Sequence, residues 1–192
     1  PYLNAPMVAP DLPGHGPDPH LPATMDEAVD RVVDLIDETA ASVVVGYSMG
    51  GRIGLRAVLR RPVGLLVLVS VSAGIRDESA RVARAQTDAE LADRIETEGM
   101  SVFLDEWDRL PMFAGLAARS DEWKARERAL RLENTPAGVA AALRGMGQGV
   151  TEPVSDDELR SLEVPTVLLA GAADPAYVAE AERLGSLIPN AE

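Results

Sequence analysis

The 192-residue chain is 46% apolar and 26% charged, the make-up of one globular domain that buries roughly 70% of the surface its unfolded form exposes. A net charge of −13 excludes a nucleic-acid partner, since a phosphate backbone needs a basic face that cannot be assembled here. No apolar run approaches the ~20 residues of a membrane span, no cysteine is present for a disulfide or thiolate metal site, and no signal peptide is visible, which fits a reducing, cytoplasmic setting.

Taken in chain order, Pro6-Met7-Val8-Ala9-Pro10 reads as a short apolar strand, followed by the turn-rich Asp11-Leu12-Pro13-Gly14-His15-Gly16-Pro17. Over residues 25–38, apolar Met25, Ala28, Val29, Val32, Val33 and Ile36 recur at helical spacing. Ser42-Val43-Val44-Val45 is too short for a helix and reads as a strand buried on both faces. A glycine-rich turn then feeds a helix reaching about Arg61, where Pro62 ends it, and residues 65–71 form another wholly apolar strand. From Gly74 to about Leu162 the chain is charged and helical with no strand-like run. Residues 164–171 return to the apolar pattern, and 176–187 read as a helix.

Strand and helix alternation predicts an α/β architecture, a mostly parallel sheet flanked by helices and joined by right-handed crossovers. The expected divisions are a first core part at 1–73, a helical lid inserted at 74–162, and a second core part at 163–192. The chain opens on Pro1 rather than methionine and stops abruptly at Glu192. It therefore reads as an internal piece, truncated at both ends.

Chemistry enters at Gly46-Tyr47-Ser48-Met49-Gly50, which fits G-x-S-x-G between a buried strand and a helix, the setting of a nucleophile elbow. At so tight a turn the serine is held in a strained conformation, and its neighbours two residues away, Gly46 and Gly50, must lack colliding side chains. The helix directs its positive end at Ser48, and the Met49 N–H is placed to donate to an oxyanion. A plain glycine-rich turn is the competing reading.

Such a serine needs an acid and a histidine, following it in the order Ser, Asp/Glu, His. Asp174, just past the strand of residues 164–171, is the candidate acid; capping the next helix is its alternative role, and the two are compatible. His15 and His20 both precede Ser48. His15 in its turn-rich loop is expected to bond backbone, so the catalytic histidine is expected beyond Glu192 and the second oxyanion donor before Pro1. No metal cluster or phosphate-cradling loop is visible, and no cofactor is inferred.

Together with Asp11-Leu12-Pro13-Gly14-His15-Gly16 and Gly171-Ala172-Ala173-Asp174, the elbow resembles the α/β-hydrolase superfamily. The insertion narrows the likeness. Ser72-Ala73-Gly74-Ile75-Arg76, Arg81-Val82-Ala83-Arg84 with Asp88, Phe103-Leu104 through Trp107, Leu110-Pro111-Met112-Phe113-Ala114 and Leu143-Arg144-Gly145-Met146-Gly147-Gln148-Gly149 are similar to the 2-succinyl-6-hydroxy-2,4-cyclohexadiene-1-carboxylate synthases of menaquinone biosynthesis. Those enzymes eliminate pyruvate with a Ser-His-Asp triad acting as base. The resemblance implies Ser48 as the proton-abstracting group, Asp174 as the orienter of the histidine, and Tyr47, Arg52, Arg84, Trp107, Phe113 and Arg131 as contacts to a small anionic polycarboxylate. Arginine suits that substrate, because it is permanently charged and grips carboxylates in pairs of hydrogen bonds.

Bland roles compete at each position. Each arginine fits a solvated surface too, all the more since Lys124 is the single lysine and the arginine bias is what a GC-rich genome produces. Trp107 and Phe113 fit the core of a lid. At the level of function, an esterase or carbon–carbon bond hydrolase of the same fold and a non-catalytic binding protein on this scaffold stay open beside the lyase.

Overall fold

A computed structural model describes residues 6–17, 19 and 21–192. Helix α1 (Met25–Thr39) starts at a reciprocal capping box: Thr24 Oγ1 accepts from the Glu27 N–H at 3.3 Å, and the Glu27 carboxylate accepts from the Thr24 N–H at 3.2 Å. Strand β1 (Val43–Tyr47) runs without a gap into α2 (Ser48–Arg60), and β2 (Leu65–Val69) follows. Between β2 and β3 (Thr166–Leu169) the regular elements are all helical: α3 (Glu78–Glu98), α4 (Met100–Trp107), a 3-10 segment (Pro111–Ala118), α5 (Asp121–Leu132), α6 (Pro136–Met146) and α7 (Asp156–Ser161). Helix α8 (Pro175–Leu187) follows β3.

The strands pair in parallel in the order β1-β2-β3, with Tyr47 opposite Val69 and Val69 opposite Leu169. Their C-terminal ends stand level, so Ser48, Ser70 and Ala170 leave the sheet along one edge. Beyond β3 the chain comes back beside it: the Thr166 N–H donates to the Asn190 carbonyl at 2.9 Å and the Glu192 N–H to the Thr166 carbonyl at 3.0 Å, a parallel bridge through Ala191.

Two apolar clusters hold these elements. Leu55 and Val58 of α2 meet Leu66 and Leu68 of β2, Leu159 of α7 and Leu184 of α8. Ile53 and Ala57, on the other side of α2, meet Ala28 and Val29 of α1 and Ala142 and Met146 of α6. Each large aliphatic side chain sealed this way contributes about 1.5–3 kcal/mol. Helix α2 is thus packed from both sides, which fixes the turn that carries Ser48. A third cluster, Ile95, Met100 and Leu104, ties α3 to α4 within the helical region.

Two expectations fail. Residues 6–10 form no strand, and Met7 is 74% exposed. Pro6 and Pro10 lack the N–H that a ladder needs, so a five-residue stretch bounded by both has too few donors to pair. Strand β1 is not buried on both faces either. Val44 and Gly46 turn toward α2, while Val45 on the opposite face is 65% exposed. Helices α2 and α8 pack on the face of Val44, Leu66 and Leu68, with α1 against α2, while Val43, Val45 and Leu169 on the other face are exposed.

Candidate active site

Ser48 is the first residue of α2 and sits at φ 49, in the left-handed region that non-glycine residues avoid. The turn is enforced by a close approach of Gly46 and Gly51, both buried. A Cβ at Gly46 would strike the Gly51 Cα and lie 2.7 Å from the Gly50 carbonyl oxygen. At Gly50, by contrast, a Cβ would have open space. The steric demand expected of the pair Gly46 and Gly50 therefore falls on Gly46 and Gly51, because the strand end abuts the second residue of that glycine pair and not the first.

Helix α2 has no side chain capping its N-terminus. Its first N–H groups, Met49 included, have no side-chain cap from Tyr47, and such a helix N-terminus favours negative charge nearby. Ser70, the residue after β2, is at φ 49 as well, level with Ser48 after the neighbouring β1. Nothing in the sequence marked it, since a serine does not advertise a left-handed backbone as glycine does.

Asp174 caps α8: its Oδ1 accepts from the Tyr177 N–H at 3.2 Å. It stands beyond the C-terminal end of β3, two strands from β1, an offset of about 10 Å at the usual strand spacing. His15 is held by backbone, with Nδ1 3.1 Å from the Pro13 carbonyl oxygen. The Gly16 N–H next to it donates to Asn134 Oδ1 at 2.9 Å, pinning this loop to the start of α6. His20 lies outside the described residues.

Arg52, one helical turn after Ser48, is only 6% exposed. Its guanidinium donates to the Met146 carbonyl at 3.0 Å and to Thr151 Oγ1 at 3.5 Å, and among the described residues it hydrogen-bonds no carboxylate. Burial, then the Arg56 and Arg84 cations nearby, push its pKa down to about 10, so it stays charged at neutral pH. Its hydrogen bonds go to neutral acceptors, and the Asp88 carboxylate, acting on it without a hydrogen bond, offsets part of the cost of burying the charge. Arg84 on α3 belongs to the same group, its Nε 2.8 Å from Asp88 Oδ1. Thr151 and the Met146 carbonyl escaped the sequence reading because they lie roughly a hundred residues from Arg52.

The helical region holds the other candidates apart from these. Trp107 packs between Phe103 and Phe113, with ring centroids 5.3 and 5.6 Å away. Phe113, Trp123, Lys124, Arg128 and Arg131 line a cavity of about 330 Å³ that neither Ser48, Arg52 nor Arg84 reaches. The Arg131 guanidinium is paired with Asp108 at 2.6 Å. Tyr47 is 65% exposed on the open face of β1. The structure thus gathers Ser48, Met49, Arg52 and Arg84 around α2 and sets Trp107, Phe113 and Arg131 in a separate cluster.

The family model of the alpha/beta hydrolases matches residues 1–192. The chain belongs to the alpha/beta hydrolase family. Within this family it is 31% identical over 197 residues to the 2-succinyl-6-hydroxy-2,4-cyclohexadiene-1-carboxylate synthase of Enterobacter sp. (strain 638), covering 97% of this chain and 74% of that protein. A putative synthase of the same name from Bacillus subtilis (strain 168) is also 31% identical, over 77% of this chain; the match spans 54% of that relative's length. Among solved structures, MenH from S. aureus superposes with a TM-score of 0.88 at 32% identity, over 95% of this chain and 71% of that one. That likeness, sustained over most of the chain, sets it among these synthases.

Proposed function

We propose that the protein carrying this chain eliminates pyruvate from 2-succinyl-5-enolpyruvyl-6-hydroxy-3-cyclohexene-1-carboxylate to give 2-succinyl-6-hydroxy-2,4-cyclohexadiene-1-carboxylate. The observation that carries the reading is Arg52, a buried cation that hydrogen-bonds no carboxylate among the described residues, one turn from a serine on a strained elbow. A substrate with three carboxylates supplies an anion for it, and it does so against the field of a strongly acidic chain.

The names of substrate and product define the bond changes. The ring loses a proton from C2 and the enolpyruvyl oxygen from C5, while its double bond at C3 becomes two, at C2 and C4. The C2 proton is acidified by the succinyl ketone beside it. Ser48 Oγ, its own proton passed to the triad histidine, takes the C2 proton; the C5–O bond breaks, and the departing enolpyruvate regains a proton to become pyruvate. The Met49 N–H steadies the negative charge that builds on the ketone oxygen. Asp174, with one carboxylate oxygen held by the α8 N-terminus, orients the histidine, which we place outside these 192 residues. Arg84 joins Arg52 in holding carboxylates. Tyr47, Trp107, Phe113 and Arg131 complete the contacts once the helical region, which we read as a lid over residues 74–162 on a core of 1–73 and 163–192, meets the substrate. The cysteine-free composition suits a cytoplasmic reaction of this kind.

The test is pyruvate release by the full-length protein, run beside hydrolysis of p-nitrophenyl esters. Fast pyruvate release with negligible ester turnover supports the lyase; ester turnover without pyruvate leaves only the fold and Ser48 standing. Arg52→Ala is expected to raise KM roughly 100-fold, the loss of a charge-assisted carboxylate contact worth about 1.5–3 kcal/mol. Because the Arg52 pKa is lowered to about 10, its charge fades earlier than an ordinary arginine's as pH rises. KM is therefore expected to climb as pH passes 10 in the wild type and to lack that alkaline limb in Arg52→Ala.

A further inference from the structure

Asp88 lies in the middle of α3 and is only 4% exposed. Its Oδ1 accepts one hydrogen bond, from Arg84 Nε at 2.8 Å; its Oδ2 is buried with no hydrogen-bond partner among the described residues. Gly147 presses against that oxygen so closely that a Cβ there would lie 2.7 Å from Oδ2. Around it runs the polar joint between α2, α3 and the end of α6: Thr151 Oγ1 donates to the Gly147 carbonyl at 3.0 Å, and Arg52 donates to Met146 on one side of Gly147 and to Thr151 on the other.

An exposed pair four residues apart on a helix is ordinary and adds little. This one is different in kind, because a carboxylate is sealed in with half its hydrogen-bonding capacity unused, the sort of buried group that stability alone does not retain. What the arrangement does accomplish is geometric. Nε is the single guanidinium nitrogen engaged by Asp88, which clamps the Arg84 side chain along α3 and leaves both Nη groups for a carboxylate. The packing of Gly147 against Oδ2 keeps the carboxylate from rotating.

We propose that Asp88 is a positioning residue that holds Arg84 in the orientation that binds a substrate carboxylate, with Gly147 as its backstop. This rests on the reading of Arg84 as an anion contact, so the test separates the two. Wild type, Arg84→Ala, Asp88→Asn and the double variant of the full-length protein are compared for KM and kcat of pyruvate release, for the Kd of citrate as a tricarboxylate probe, and for Tm. Asp88→Asn keeps the shape but weakens the hold on Nε, and it is expected to raise KM and the citrate Kd about ten-fold with kcat little changed. In the Arg84→Ala background the same substitution is expected to add nothing, since the two act as one unit. Tm is expected to fall only modestly, since the Arg84 side chain is partly exposed and the amide keeps an acceptor oxygen toward its Nε.

Equal effects of Asp88→Asn with and without Arg84 would overturn the proposal, as would a fall in Tm with KM and Kd unmoved. If the wild type releases no pyruvate while the citrate cycle still shows the coupling, the reaction assignment fails and the positioning role stands. If citrate does not bind the wild type and KM shows no coupling, the positioning role falls.

Discussion

Replacing Ser48 with alanine is expected to reduce pyruvate release by the full-length protein ~10⁴-fold or more, the scale of removing the reacting member of a triad. The substrate contacts proposed for Arg52 and the α2 N-terminus are untouched in that variant, so KM is expected to change far less than kcat. A stability measurement adds a second, independent check. Ser48 sits at φ 49, and a residue with a Cβ in that region gives up roughly 1–2 kcal/mol that glycine does not. Ser48→Gly and Ser48→Ala remove the same hydroxyl, yet the glycine variant is expected to be the more stable by about 1 kcal/mol. Equal stability would mean that the elbow is not strained in solution, and retained turnover in either variant would remove Ser48 from the chemistry.

The strain also explains which parts of the molecule could be read in advance. The elbow is local: strand, glycines, serine and helix follow one another within a dozen residues, so its geometry is written in adjacent letters. Helix α1 is equally legible, since Met25, Ala28, Val29 and Ile36 recur at the helical period and all four are buried. Strand limits are not. The apolar run at residues 65–71 stops as a strand at Val69 because Ser70 turns into the left-handed region, which no side-chain pattern announces. The run from Val164 starts as a strand only at Thr166, since Pro165 lacks the N–H to join the ladder.

Burial of β1 was illegible for a related reason. Three successive valines show no alternation, so both faces look alike until the helices are seen to gather on one of them. The environment of Arg52 depends on residues near 146 and 151, brought in by the packing of α6 on α2. Its own neighbourhood in the sequence marks the position, and only the tertiary contacts distinguish a sealed cation from a solvated one. Arg131 shows the reverse, an arginine whose charge is already answered, by Asp108. The same residue type in the same acidic chain thus stands in two electrostatic situations.

The glycines of the elbow give the last contrast, between two changes identical on paper. Gly46→Ala is expected to destabilise the protein by about 3 kcal/mol, at the upper end of overpacking costs, because the new Cβ meets backbone that cannot rotate away. The atoms it would strike, the Gly51 Cα and N and the Gly50 carbonyl oxygen, belong to the first turn of α2, so relief requires moving Ser48. Activity should therefore fall with stability. Gly50→Ala puts its methyl into open space on a helix and is expected to be neutral or to stabilise by up to about 1 kcal/mol, the ordinary advantage of alanine over glycine there. Denaturant midpoints of the two variants measure this directly. Equal losses would mean that the motif's two glycines share one steric role. A large loss at Gly46 alone would show that the second glycine of the pattern is dispensable for the turn, and that the close approach between Gly46 and Gly51 is what holds the serine in place.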